Sequence, residues 1–246
     1  MSAPVVDNAF YDRLYEAWYD GSNVAMAILR KEAAFKNAWI RRQIADVLGS
    51  APQSLLDVGC GGGFVSNDMA GHGHVVTGVD RSNSSLVVAR DHDRTATARY
   101  VHGDAYRLPF ADAAFSVVCA MDLLEHLDEP SRCLAEMGRV LKPGGLLFFQ
   151  TYNRTLLSYV LFVWGVNRTP GAVANTHVYR LFIPPERLRQ QCADAGLQVR
   201  TFTGFKIALT WAALKTVFGR YDGIDRFRFE LTPSLAGGYL GFAQKT

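Results

Sequence analysis

The chain has 246 residues, of which 49% are hydrophobic and 20% are charged. This composition provides enough apolar side chains for a buried core and excludes a chain that is disordered throughout. Lysine and arginine total 26 against 23 acidic residues, and a net charge of +3 is too small to predict nucleic-acid binding. The four cysteines are scattered, so we expect no disulfide scaffold and a cytoplasmic location.

Residues 24–48 carry apolar side chains at helical spacing, and the Gly-Ser-Ala-Pro sequence at 49–52 predicts the end of this helix. From residue 54, short β-branched runs alternate with helical patterns, as in chains of βαβ units. The predicted strands are 54–58, 74–80, 98–104, 115–122, 146–152, 197–205 and 237–245. The predicted helices after residue 54 are 64–70, 82–90, 131–141 and 184–195.

These elements predict an α/β fold with a mostly parallel, seven-stranded sheet and helices on both of its faces. Residues 1–50 would form an N-terminal helical cap and residues 51–246 the sheet domain. An insertion at about residues 153–181 would follow the fifth strand within the same domain.

Three glycines, Gly59, Gly61 and Gly63, follow the first strand and open a helix. A bare backbone at such a turn lets a ligand approach closely, although a turn that serves only packing has the same pattern. A dinucleotide dehydrogenase would require G-x-G-x-x-G, whereas position 64 is Phe. A phosphate-binding loop would require Gly-Lys-Ser/Thr, which is also missing from this motif.

Side chains at the ends of the next three strands support a ligand site. Asp80 ends the second strand, Asp104 follows the third, and Met121 and Asp122 end the fourth. Open parallel sheets bind ligands at the carboxyl ends of their strands, so we expect these residues to line one site.

Residues 55–63 match the (L/V)-(L/V)-D-x-G-x-G-x-G motif, and the chain therefore resembles class I S-adenosylmethionine (SAM) methyltransferases. The resemblance implies a Rossmann-like fold in which the glycine loop adjoins the methionine part of SAM and Asp80 holds the ribose. Asp104 and Ala105 would lie near the adenine. The full predicted cofactor-binding set is Lys36, Asp57, Gly59, Gly61, Gly63, Asp80, Asp104, Ala105 and Met121.

A narrower resemblance is to the ubiquinone-biosynthesis O-methyltransferases, which methylate the phenolic hydroxyl of a polyprenylated catechol. It rests on D-V-G-C-G-G-G at 57–63, T-G-V-D at 77–80, C-A-M-D-L-L-E-H at 119–126, T-Y-N-R at 151–154, T-H at 176–177, F-I-P-P at 182–185 and G-Y-L at 238–240. It implies SAM as the cofactor and a hydrophobic aromatic small molecule as the acceptor.

Asp122, Glu125 and His126 have the i, i+3, i+4 spacing of one helical face. They can hold a hard divalent cation, or His126 can act as a general base on an acidic hydroxyl. Alternatively, His126 only orients SAM and Glu125 favours a helix N-terminus. In the resembling family an E-x-x-E-H triplet binds magnesium, and here aspartate takes the first position. The family's N-P-x-R element appears as Ala-Ala-Phe-Lys at 33–36, so that Lys36 keeps the charge of the arginine.

Residues 155–166 are strongly apolar but far shorter than the roughly 20 residues of a membrane-spanning helix. They fit either a buried lid helix or, as the resemblance implies, peripheral contact with a membrane. His177 lies in a loop that can close over the acceptor and is the second predicted catalytic residue, although a single loop histidine also fits a structural role. Tyr11, Tyr15, Trp18 and Tyr19 form an aromatic cluster that serves packing or a lid.

The leading hypothesis is a SAM-dependent O-methyltransferase acting on a phenol or catechol, with His126 lowering the pKa of the hydroxyl either alone or together with a divalent cation held by Asp122, Glu125 and His126. One alternative is a C- or N-methyltransferase of specialised metabolism. Another is a SAM-binding accessory protein without catalysis. The sequence does not determine an oligomeric state.

Overall fold

The computed structural model describes residues 15–20, 23–165, 177–208 and 228–246. Its helices are α1 (Val24–Leu48), α2 (Phe64–Gly71), α3 (Asn83–Asp91), α4 (Pro130–Val140), α5 (Leu156–Ser158) and α6 (Pro185–Asp194). Its strands are β1 (Ser54–Val58), β2 (Val75–Asp80), β3 (Arg99–His102), β4 (Phe115–Ala120), β5 (Leu141–Tyr152), β6 (Leu197–Ile207), β7 (Phe229–Thr232) and β8 (Gly238–Lys245). Short 3-10 helices cover Tyr15–Trp18, Leu124–His126 and Tyr179–Leu181, and a π-helix, Tyr159–Gly165, continues α5.

The described strands form one sheet in the order β3-β2-β1-β4-β5-β8-β6-β7. Strands β1 to β5 are parallel, whereas β8 lies antiparallel between β5 and β6. The predicted α/β class and mostly parallel sheet are confirmed, but the prediction of seven strands is wrong because the sheet has eight. The additional strand, β7, pairs only with β6 at the edge of the sheet.

Helices cover both faces of the sheet, as the long apolar strands require. On one face, Leu56 and Val118 pack with α4 and α6. On the other, Leu55 and Phe148 pack with residues of α1 and α2, including Ile40. A parallel strand buried on both faces needs apolar residues at successive positions, which is why residues 55 and 56 are both leucine.

Helix α1 belongs to the packed core, although the sequence assigns it to a cap. Its N-terminus is capped by Asn23, whose side chain accepts a hydrogen bond from the Met26 N–H at 3.1 Å. Ile40 and Ile44 from its second half are fully buried against the sheet. The proposed boundary at residue 50 stays a prediction.

The insertion leaves the end of β5 and is fastened at its base. The Asn153 N–H donates to the Gly237 carbonyl at 2.9 Å, and its side-chain amide donates to the Leu235 carbonyl at 2.8 Å. Thr155 then caps α5 with its hydroxyl, which accepts from the Ser158 N–H. Residues 166–176 of the predicted insertion lie outside the described residues. Within the described ranges, no helix combines the length and apolarity needed to cross a membrane.

Candidate cofactor and acceptor site

A cavity of about 420 Å³ opens at the carboxyl ends of β1 to β4. All but three of the sequence-predicted site residues line it. Those that do are Lys36, Asp57, Gly59, Gly61, Asp80, Asp104, Ala105, Met121, Asp122 and His126. Gly63, Glu125 and His177 are not part of its lining. The placement follows from the fold, because parallel strands bring their carboxyl ends to one edge.

The strand order also orders the polar groups along this edge. Because the sheet runs β3-β2-β1-β4, Asp104 is followed by Asp80, then by the glycine loop, and then by Met121 and Asp122. Neighbouring strands are about 4.8 Å apart, so the series is long enough for an extended ligand.

Asp80 is tied to the glycine loop through its carboxylate. Oδ2 accepts from the Gly61 N–H at 2.9 Å, and Oδ1 accepts from the Ser82 N–H at 2.8 Å. Gly61 has a φ of +49°, in the left-handed region that favours glycine. The loop and the acid that follows the next strand are therefore held as one unit.

Asp57 occupies the floor of the cavity. Its buried carboxylate accepts hydrogen bonds from the Ser66 N–H at 3.1 Å and the Ser66 hydroxyl at 2.6 Å. Burial raises its pKa to about 7, although the hydrogen bonds from Ser66 oppose the shift. Asp57 therefore anchors the first turn of α2 beneath the predicted cofactor.

Trp18 lines the cavity from the N-terminal side and was not among the predicted site residues. Its ring covers the glycine loop so closely that a Cβ atom at Gly61 would lie 2.9 Å from Cη2. The Arg30 guanidinium donates to the Trp18 carbonyl at 2.7 Å, and the Tyr19 hydroxyl donates to the Gly62 carbonyl at 3.0 Å. In the sequence, the only indication of this role was that Trp18 belongs to the N-terminal aromatic cluster. Tyr11 and the Tyr15 side chain lie outside what the structure describes.

Lys36 is buried at the inner side of the cavity within a polar network. Its ammonium donates to Glu32 at 3.1 Å, to the Gln150 side-chain carbonyl at 3.2 Å, and to the Asp122 carboxylate. The same Gln150 oxygen accepts from the Asp122 N–H at 3.0 Å. Burial lowers the pKa of Lys36, but the charges of Asp122 and Glu32 outweigh this effect and raise it above its usual value. The i, i+4 spacing of Glu32 and Lys36 was the only sequence signal for this network.

Glu125, His126 and His177 form a second cluster. Each offers a ligand atom, and these atoms lie within 4.8 Å of one another. Burial raises the pKa of Glu125 to about 8, and the Asp122 charge adds to the shift. Burial also lowers the pKa of His126 to about 4 and that of His177 to about 3. The sequence grouped Asp122 with Glu125 and His126, whereas the structure brings His177 into this cluster and pairs Asp122 with Lys36.

An aromatic path connects this cluster with the insertion. The Tyr152 ring lies 5.1 Å from the His177 ring and 4.2 Å from the Phe162 ring, measured between centroids. The Phe182 ring also packs against Tyr152, with 5.3 Å between the centroids. His177 of the T-H element and Phe182 of the F-I element therefore both contact Tyr152 at the end of β5.

Comparisons with known proteins agree with this geometry. Residues 56–149 match the family model of a methyltransferase domain. The ubiquinone biosynthesis O-methyltransferase of Coxiella burnetii (strain Dugway 5J108-111) is 37% identical over 153 residues, which cover 61% of this chain and only 65% of that relative's length. The protein of the same name from Aromatoleum aromaticum (strain DSM 19018 / LMG 30748 / EbN1) is 32% identical over 208 residues, 83% of this chain and 87% of its own.

A solved structure extends the similarity to the three-dimensional fold. Magnesium protoporphyrin IX methyltransferase from Synechocystis PCC 6803, crystallised with bound SAH, matches with a TM-score of 0.64. The match covers 97% of this chain and 95% of that one at 16% identity, so it supports the fold alone. Together with the motifs and the cavity, the relatives show that the chain belongs to the ubiquinone biosynthesis O-methyltransferases, a family of class I SAM-dependent methyltransferases.

Proposed function

We propose that this chain transfers the methyl group of SAM to the hydroxyl oxygen of a phenol or catechol within a hydrophobic small molecule. The observation that carries the proposal is the position of His126, whose imidazole lines the same cavity as Gly61 and Asp80. The names of the relatives favour a quinone precursor as the acceptor.

The reaction is an in-line displacement at the methyl carbon. The hydroxyl oxygen forms a bond to this carbon while the carbon–sulfur bond of SAM breaks, which leaves S-adenosylhomocysteine (SAH) with a neutral sulfur. Because SAM supplies the reactivity, the protein acts by aligning the two reactants and excluding water. The glycine loop and Asp80 would fix the cofactor, and the hydroxyl proton must be removed.

His126 is suited to receive that proton. With a pKa of about 4 its imidazole is neutral near pH 7 and has a lone pair for the hydroxyl proton. The Asp122 carboxylate raises the pKa of His126 against the effect of burial, so it favours the imidazolium that forms during transfer. Because burial disfavours the imidazolium, proton transfer to His126 depends on the Asp122 carboxylate to stabilise that charge.

The Glu125, His126 and His177 cluster also fits a divalent cation. Both carboxylate oxygens of Glu125 are buried, and the two imidazoles converge on the same point. One carboxylate and two imidazoles suit zinc, manganese or iron better than magnesium, which prefers oxygen ligands. Such a cation would lower the pKa of a hydroxyl bound to it. His126 cannot act as ligand and base at once, so the two mechanisms are separable.

The acceptor test is a screen of catechols and short-chain polyprenyl phenols with methyl-labelled SAM, with and without chelator and with added magnesium or manganese. Methyl transfer to oxygen, located by mass spectrometry, supports the proposal. Transfer to carbon or nitrogen would replace it with the corresponding alternative. Binding of SAM without any transfer would indicate an accessory protein. If chelation, Glu125→Ala and His177→Ala all leave turnover intact, the metal role is wrong.

We further propose that the insertion contacts a membrane surface peripherally. Leu156, Leu161 and Trp164 are 77%, 48% and 52% exposed, and they belong to an apolar patch on α5 and the following π-helix. Contiguous exposed apolar surface next to a cationic residue, here Arg154, is typical of interfacial segments.

Liposome co-sedimentation tests this contact, with vesicles of mixed zwitterionic and anionic lipids. Leu161→Glu should weaken binding by at least about tenfold, because it places a charge in the apolar patch. Val47→Glu serves as the matched control, since Val47 is 41% exposed on α1, outside the patch. Equal binding by both variants would contradict the proposal.

A further inference from the structure

The inner end of the cofactor cavity carries charges of both signs, contributed by Lys36 and Asp122. Asp80 lies toward the opposite end, two strands away along the sheet. SAM carries ribose hydroxyls in its nucleoside part. Its other end, the amino-acid part, carries an α-ammonium and a carboxylate. If Asp80 holds the ribose, the amino-acid part of SAM extends toward Lys36 and Asp122.

The Asp122 carboxylate is held in a fixed orientation. Its backbone N–H donates to Gln150, and its Oδ2 accepts from Lys36. Asp122 also has a φ of +54°, a left-handed conformation that aspartate and asparagine tolerate better than most residues. The Asp122 side chain is 26% exposed to solvent, whereas the Lys36 side chain is 1% exposed. The Asp122 carboxylate is therefore more accessible from the cavity than the Lys36 ammonium.

A role as metal ligand does not suit Asp122 in this structure. The Lys36 ammonium already neutralises much of the charge of this carboxylate, and at equal distance it repels a divalent cation twice as strongly as a singly charged ammonium. The described residues whose ligand atoms converge on one point are Glu125, His126 and His177. The family resemblance implies that Asp122 is a metal ligand, whereas its pairing with Lys36 favours a different role.

We propose that Asp122 binds the α-ammonium group of SAM and that Lys36 positions its carboxylate for this contact. The inference rests on the proposed function only in taking SAM as the ligand of the cavity. It assigns Asp122 to cofactor recognition, where the sequence had assigned it to a metal. An ammonium–carboxylate contact is a charge-assisted hydrogen bond, the stronger class of such bonds, so its loss is measurable as affinity.

Isothermal titration calorimetry on the chelator-treated 246-residue chain tests this with three ligands. SAH has both the ammonium and the carboxylate, S-adenosyl-4-thiobutyrate lacks only the ammonium, and 5′-methylthioadenosine lacks both. Wild-type protein should bind SAH at least about tenfold more tightly than the thiobutyrate. Asp122→Asn should raise the Kd for SAH at least about tenfold and change the Kd of the other two ligands less than about twofold.

Two controls make the outcome specific. Asp112→Asn removes an exposed carboxylate that pairs with Arg139 outside the cavity, and it should leave all three affinities unchanged. Asp122→Glu keeps the charge and should recover part of the SAH affinity that Asp122→Asn loses. The inference is overturned if Asp122→Asn weakens all three ligands equally, or if wild-type protein does not distinguish SAH from the thiobutyrate. Wild-type protein that binds none of the three would contradict the proposed function as well.

Discussion

The ammonium of Lys36 lies against the carboxylate of Asp122, and at both of these positions the chain departs from its family's motifs. The family pattern has arginine in place of Lys36 and glutamate in place of Asp122. In this chain a longer cation has been replaced by lysine and a longer acid by aspartate, and the two replacements contact each other. The departures are therefore one local rearrangement.

Replacing Lys36 with methionine should strongly destabilise the protein. The change leaves the carboxylates of Glu32 and Asp122 without their cation in a buried network, and breaking such a network costs about 3–5 kcal/mol. Urea unfolding of Lys36→Met measures the loss. The double variant Lys36→Met/Asp122→Asn should recover part of it. A single variant within about 1 kcal/mol of wild type would show that the network contributes little.

Gly61→Ala should reduce both stability and cofactor affinity. The new Cβ atom would lie 2.9 Å from the Trp18 ring, and the left-handed backbone costs about 1–2 kcal/mol for a residue other than glycine. Thermal unfolding and SAM titration measure the two effects. Gly71→Ala is the matched control, because nothing lies within 4 Å of a Cβ atom there. Equal behaviour of the two variants would contradict the described packing of Trp18.

Metal titrations should show that His177 contributes to metal binding and that Asp122 does not. If a divalent cation binds, His177→Ala should weaken the binding of manganese or zinc at least about tenfold, because it removes one of three converging ligands. Asp122→Asn should leave metal affinity nearly unchanged, since its carboxylate is not among the three groups whose ligand atoms lie together. The reverse pattern would restore the ligand set that the sequence predicted.

Asp57 should make stability depend on pH. Its folded-state pKa of about 7 exceeds the usual 3.8, so the folded state keeps a proton that the unfolded state releases. Stability from this group is therefore present below about pH 4 and is lost as the pH rises to about 7. Asp57→Asn cannot titrate, yet it still accepts hydrogen bonds from Ser66. The wild-type advantage in unfolding free energy should shrink by at least about 1 kcal/mol between pH 5 and pH 8. A constant difference would mean that Asp57 is ionised throughout.

The cofactor side of the molecule could be predicted from sequence because it is built from local patterns. A glycine loop or an acid at a strand end is visible along the chain, and parallel pairing then brings these residues together. Strand β7, which the sequence did not predict, has no such local pattern. Strand β7 is four residues long, has no buried position, and is recognisable only through its pairing with β6.

The inner network was beyond sequence reasoning for a different reason. Lys36 meets Asp122 and Gln150 only because α1 packs across the sheet, and nothing in the local sequence encodes that contact. The contact of His177 with Glu125 and His126 is also not encoded locally, because His177 lies about 50 residues further along the chain, after the apolar patch of the insertion. The position of Trp18 over the glycine loop depends on where the short helix before α1 lies. Arg30 fixes this part of the chain by donating to the backbone carbonyls of Trp18 and Asp20.

Tyr152 and Gly238 pair at the ends of β5 and β8, so the chain leaves the sheet and re-enters it beside the same point. The ends of the intervening segment, residues 153–237, are thus held together whatever its length, and the entropy of closing such a loop changes only slowly with the number of residues. This segment contains the apolar patch, His177 and the outer strands, whereas the cofactor cavity belongs to the strands before it. The length of this segment can therefore change without disturbing the pairing of β5 with β8 or the strands that line the cofactor cavity.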